Sequence, residues 1–261
     1  MARIRTWLAE RHSLRAEVIA VLALYLVYEV SRGLVVGNAT VALRHARDVA
    51  RLEQSLHVFV EQNVQEAARS VPGLIGTLGL AYLTLHLSVT AGFLLWAYRR
   101  RPRAFPAVRT TLILATALAL IGFVLFPTAP PRLAGLGIVD TVSGRHIDLN
   151  RGLVSSVYNP IAAVPSLHVT YALVVGAGLV RYGGRLLPRL IGVAYPPFVL
   201  LVIVATGNHF LFDAATGAAV AAVAALIAVV LTRKPTAKPM TAISQRHRPD
   251  SNLGPSETLA A

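Results

Sequence analysis

The chain has 261 residues, of which 55% are hydrophobic and only 14% charged, and it carries a formal net charge of +13. A water-soluble domain of this size is about 25% charged, so a deficit gathered into long apolar runs excludes an ordinary soluble globule and predicts a membrane protein. The lack of cysteine excludes disulfides, thiolate nucleophiles and cysteine metal sites.

In chain order, residues 1–15 form a basic N-terminal segment with Arg3, Arg5, Arg11 and Arg15. The apolar run that follows, about 16–37, is too long for a signal-peptide core and lacks a small-residue cleavage site, so it reads as an uncleaved first span. Residues 38–70 place Val41, Leu43, Val49, Leu52, Leu56, Val58, Val60 and Val64 at mostly helical spacing. They predict one or two amphipathic helices lying at the interface or over the bundle. Stretches of about 72–98, 108–127, 163–182, 188–206 and 210–232 each reach the roughly 20 apolar residues a helical span requires. Between the third and fourth spans, residues 128–162 contain Pro, Gly and Asp and read as a loop. Residues 235–261, rich in Pro, Ser and Thr, read as a disordered tail. The expectation is an all-α, polytopic membrane bundle of about six transmembrane helices, with residues 16–232 as its membrane domain.

Six spans put both termini on one side. If that side is the cytoplasm, 17 of the 25 basic residues fall in the inner segments, among them Arg99, Arg100, Arg101, Arg103 and Arg109. Eight acids, including Glu53, Glu61, Asp140 and Asp213, balance the eight basic residues outside. Every inner segment is arginine-rich, as the positive-inside rule requires. Orientation therefore accounts for the basic balance, and nucleic acid is not an expected partner.

Three polar clusters then fall at the outer face: Pro130-Pro131-Arg132 after span three, Pro165-Ser166-Leu167-His168 at span four, and Thr206-Gly207-Asn208-His209 with Asp213 at span six. Ionisable residues at membrane depth are functional candidates. At spacing i and i+4, Asp213 can accept one ring N–H of His209 and fix its tautomer, leaving the other nitrogen as nucleophile or base. Pro165 and Ser166 suit a helix start, whose amides and positive dipole end attract phosphate, and His168 lies in that first turn. Arg132, stiffened by two prolines, carries the guanidinium that matches phosphate geometry. Taken singly, each has a plainer explanation: a packing pair, an interfacial histidine, a snorkelling arginine. His86, within span two, reads as a packing histidine; His146 sits in the outer loop; His45 and His57 read as surface positions.

These clusters resemble the signature of the type 2 phosphatidic acid phosphatase superfamily. The Pro-Ser-Leu-His form resembles more narrowly the branch of inositol phosphorylceramide synthases (inositolphosphotransferases) and their bacterial relatives, over roughly residues 15–232. The resemblance implies that His209 attacks phosphorus to form a phosphohistidine and that Asp213 orients it. It implies that His168 protonates the leaving alkoxide and then serves as base for the acceptor. Arg132 and the backbone amides near Ser166 and Leu167 would hold the phosphate, with no metal or cofactor. The wider superfamily has a lysine where this chain has Leu125 and an arginine where it has Ile203; Asn208, Arg145 and Arg151 are the candidates to compensate. The partners implied are a lipid phosphate and a water, polyol or lipid-alcohol acceptor, met at the outer face of the plasma membrane. Two rivals are a non-catalytic transporter or binding protein with a His/Asp proton or ion site, and a metal site built from His168, His209 and Asp213.

Overall fold

The computed structural model describes residues 11–20, 22, 23, 26, 39–142 and 162–233. The N-terminal stretch is helical from residue 14; most of the expected first span, residues 143–161 (with Arg145, His146 and Arg151) and the tail lie outside the described residues. Among the described residues seven α-helices follow: α1 (Ala39–Ser55), α2 (Glu61–Ser70), α3 (Leu74–Arg100), α4 (Phe105–Leu125), α5 (Leu167–Tyr182), α6 (Leu186–Ala205) and α7 (Leu211–Thr232). Among the described residues the only β-type pairing is an isolated bridge between Thr128 and Ala162.

Four helices, α3, α4, α6 and α7, are long and apolar enough to cross a membrane. Their bounds fall within a few residues of those expected. α5, expected as the fourth span, is a shorter apolar helix of 16 residues. At 1.5 Å per residue that is about 24 Å, short of a hydrocarbon core of roughly 30 Å. Before α5, Ala163 N–H donates to Thr128 O, and Ser166 caps the helix through Val169 N–H.

Packing inverts the pattern of a soluble protein. Large aliphatic side chains point outward, Leu125 at 75% and Leu226 at 69% exposure, while Ala115, Ala119, Ala224 and Ala228 are buried. Where the surrounding solvent is lipid, apolar bulk gains nothing by facing inward, and small residues let backbones approach. At the α5–α6 crossing, a Cβ on Gly176 would meet Gly192 O at 2.5 Å, and one on Gly192 would meet Gly176 O at 2.6 Å. At the α5–α7 crossing, Gly217 admits Ser166 O in the same way, and Thr170 Oγ1 donates to Gly217 O.

The same inversion corrects the expected face of α1. That helix buries Ala42, Ala46, Val49, Ala50 and Glu53, whereas Leu52, Leu56 and Val58 are exposed. The alanine face packs on Ala129, Ala134 and Phe210, so α1 lies over the start of α7. His45, expected at the surface, is half-buried: its ring stacks on Phe126 at 4.2 Å and Nδ1 lies 2.8 Å from Pro127 O. His57 is exposed and turns the chain between α1 and α2 in the left-handed region, φ 57°.

Candidate active site

The site assembles where α4 ends, α5 and α7 begin, and α6 turns into α7. That turn is made by Gly207 at φ 68°, a conformation glycine adopts without strain. The amides of Asn208 and His209 both donate to Ile203 O, which fixes the direction of the histidine. Pro131–Leu133 forms a single 3₁₀ turn, and Arg132 N–H donates to Gly207 O. The first and third motifs are thus joined through backbone. The second joins the third when Ser166 N–H donates to Asp213 O.

His209 is 5% exposed. It precedes α7 rather than lying on it; Phe210 is the N-cap and Asp213 closes the first turn. Asp213 Oδ2 accepts from Phe210 N–H at 2.9 Å and lies 3.2 Å from His209 Nδ1. Nδ1 is also 3.1 Å from Ala163 O. Both partners are acceptors, so Nδ1 carries a proton.

His168 meets His209 edge to face, with ring centroids 5.4 Å apart. It stacks on Tyr82 at 4.5 Å and hydrogen-bonds the backbone of that residue. Behind it lies His86, centroid distance 4.5 Å, itself stacked on Tyr171. Among the described residues His86 Nδ1 is buried with no hydrogen-bond partner. The span-two histidine that reads as packing in the sequence is thus in contact with the site.

Arg132 is buried and held on two sides: Nε donates to Asn208 Oδ1 at 3.0 Å, and the guanidinium pairs with Asp140. Asn208 spends its amide nitrogen on Thr206, so its geometry orients Arg132. Ser166, whose amide is committed to α7, leaves the first-turn amides of Leu167 and His168 as those without an acceptor inside the helix. Asp140 belongs to the 136–140 segment that α2 holds: Gln62 bonds Leu136 O, and Gln65 bonds Val139 through both its side-chain oxygen and nitrogen.

Two more carboxyl groups reach the site from residues read only as balancing charge. Glu61 Oε1 accepts from Leu211 N–H at 3.0 Å, and Glu53 Oε1 accepts from Phe212 N–H at 2.6 Å. With Asp213 on Phe210, three carboxyl groups cap three consecutive amides of α7. Glu61 is 0% and Glu53 2% exposed. The signal available in the sequence is register: Glu53 lies four residues after Val49, on the alanine stripe of α1. Among the described residues no three His, Asp or Glu side chains converge to hold a metal ion.

No curated protein and no solved structure matches the chain. A family model described as the PAP2 superfamily matches residues 47–227, a stretch that begins in α1 and takes in Arg132, His168, His209 and Asp213. The family supports phosphatase-type activity on a lipid phosphoester by an integral membrane enzyme. With its helical membrane bundle and a match over most of its length, the chain belongs to the PAP2 superfamily.

Proposed function

We propose that the chain cleaves a lipid phosphoester at the extracytoplasmic face through a covalent phosphohistidine on His209. The observation that carries this reading is the setting of the His209 ring: Nδ1 held between Asp213 and Ala163 O, and His168 against its edge. Nε2 attacks phosphorus as the bond to the lipid oxygen breaks, and His168 gives its proton to the leaving alkoxide. His168 then takes the proton of the acceptor hydroxyl, whose oxygen attacks phosphorus and frees His209. Asp213 stabilises the cationic ring that forms on attack. Arg132 and the first-turn amides of α5 meet the equatorial phosphate oxygens, the contribution that matters most in phosphoryl transfer.

With water as acceptor the product is free phosphate. With an alcohol such as inositol the phosphoryl group passes to its hydroxyl as a new phosphomonoester. Where phosphorus keeps a second ester, such as inositol in the inositolphosphotransferase branch that the Pro-Ser-Leu-His motif resembles, transfer to a lipid alcohol gives a new phosphodiester. The arginine-rich segments support cytoplasmic termini and an outward-facing site in the plasma membrane.

The test is purified protein with a phosphate-labelled lipid, with and without inositol and other alcohols, beside a His209→Ala control. His209-dependent release of phosphate identifies a phosphatase, and label on the added alcohol a transferase. Absence of His209-dependent turnover on every lipid offered overturns the reading and favours a proton- or ion-handling protein.

A further inference from the structure

The mechanism above makes no use of Glu53 and Glu61, though each is almost wholly inside the protein. Each places one oxygen on an amide of α7, and each keeps Oε2 buried with no donor among the described residues. The two carboxyl groups accept from adjacent amides and act on one another through a side-chain hydrogen bond. Two ionised carboxylates cannot bond in this way, since both are acceptors only; one proton on the pair supplies the donor and removes the repulsion. The charges acting on Glu53 are those of Glu61 on α2 and Asp213 on α7, and Asp213 in turn bears His209 from the α6–α7 turn.

We propose that Glu53 and Glu61 are a proton-sharing pair of positioning residues, through which α1 and α2 hold the first turn of α7, and with it His209 and Asp213, in the reactive arrangement. The inference rests on the phosphohistidine reading for its kinetic readout, while the pair itself is tested independently. With the proton in place, Leu211 and Phe212 are held from α1 and α2 while Phe210 is held by Asp213. When the proton leaves to bulk water, two negative charges face each other beside Asp213. The contact between α1–α2 and α7 then loosens, and the orientation of the histidine with it. Burial, with the neighbouring Glu61 adding and the Phe212 amide opposing, raises the Glu53 carboxyl from an ordinary 4.5 to about 8, so the loss falls in an accessible range.

Infrared titration of the full chain in lipid nanodiscs between pH 6 and 10 follows the proton directly. A protonated-carboxyl band should vanish with a midpoint near 8 and be lost or displaced in Glu53→Gln. Turnover of the labelled lipid is measured in parallel. Glu61→Ala, which deprives Leu211 N–H of its acceptor, should lower kcat about tenfold with little change in KM, as loss of an orienting partner does. Glu61→Gln and Glu53→Gln keep an acceptor and supply a donor; they should restore kcat and abolish the alkaline fall near that midpoint. Folded Gln variants that keep the wild-type alkaline midpoint, or a wild-type protein without a titrating carboxyl band, overturn the proposal. The wild-type infrared result decides even where a variant fails to fold. Undiminished turnover in His209→Ala would instead sink the phosphohistidine reading and leave the infrared result standing.

Discussion

At the end of the bundle where α4 begins, Arg109 and Glu17 make one buried ion pair, 2.5 Å long, with both side chains under 10% exposed. At the end where α7 begins, Glu53 and Glu61, Arg132 and Asp140, and His209 and Asp213 come from three distant stretches of the chain and are cross-linked through Asn208, Gln65 and backbone. Both ends bury charge, yet at the second the buried groups are brought together from distant stretches of the chain around the His209 ring. Burial and pairing by themselves mark a helix joint. Convergence of ionisable groups from distant segments is what singles out a candidate site.

That contrast can be broken at several points. The largest effect expected is that of His209→Ala, a loss of at least about 10³-fold in kcat, equivalent to about 4 kcal/mol of barrier. Acid-labile phosphoprotein, trapped on rapid quenching, should vanish with it. At the opposite end, Arg109→Ala strips the buried Glu17 of its cationic partner. It should cost about 3 kcal/mol of folding stability, read by denaturant titration in detergent, while kcat per folded molecule stays unchanged. A comparable fall in kcat would mean that the two ends are coupled. Asp213→Asn should lower kcat about 10²-fold through loss of the tautomer-fixing acceptor, and slow phosphoenzyme formation in the same proportion.

A smaller effect concerns stability against pH. The folded chain holds the Glu53 proton up to about 8, whereas an unfolded glutamate releases it near 4.5. Stability is therefore highest below the lower value and declines as pH rises through the interval. Thermal unfolding across that range should show the decline in wild type and a flatter course in Glu53→Gln. Smallest of all, Leu226→Ala on the lipid-facing side should change stability by under about 0.5 kcal/mol and leave turnover alone.

The long helices were legible because a span of lipid demands length and apolarity together, and α3, α4, α6 and α7 supply both. That the three motifs meet was legible because the apolar helices between them bring them to one end. The buried face of α1 was not. Periodicity gives weight to Leu52 and Leu56, whereas the helix turns Ala42, Ala46 and Ala50 inward, since bulk has no reason to leave lipid. Glu53 and Glu61 were hidden by the same habit, being charges on what reads as a wet surface. The holds on Arg132 by Asn208 and Asp140, and the contact of His86 with His168, depend on side-chain directions that spacing along the chain does not contain.

The glycine contact between α5 and α6 bears on how this sequence is free to drift. Gly176 is two turns from His168 along α5, about 12 Å. A single added methyl would meet Gly192 O at 2.5 Å, where ordinary contact needs about 3.4 Å, and would wedge the helices apart by close to 1 Å. Displacement on that scale at a reacting group costs about 10²-fold in rate. A position with no side chain and no part in the chemistry is thereby placed under selective restraint of its own. Inherited variation at Gly176 or Gly192 should announce itself as lost activity in a protein that still folds and inserts.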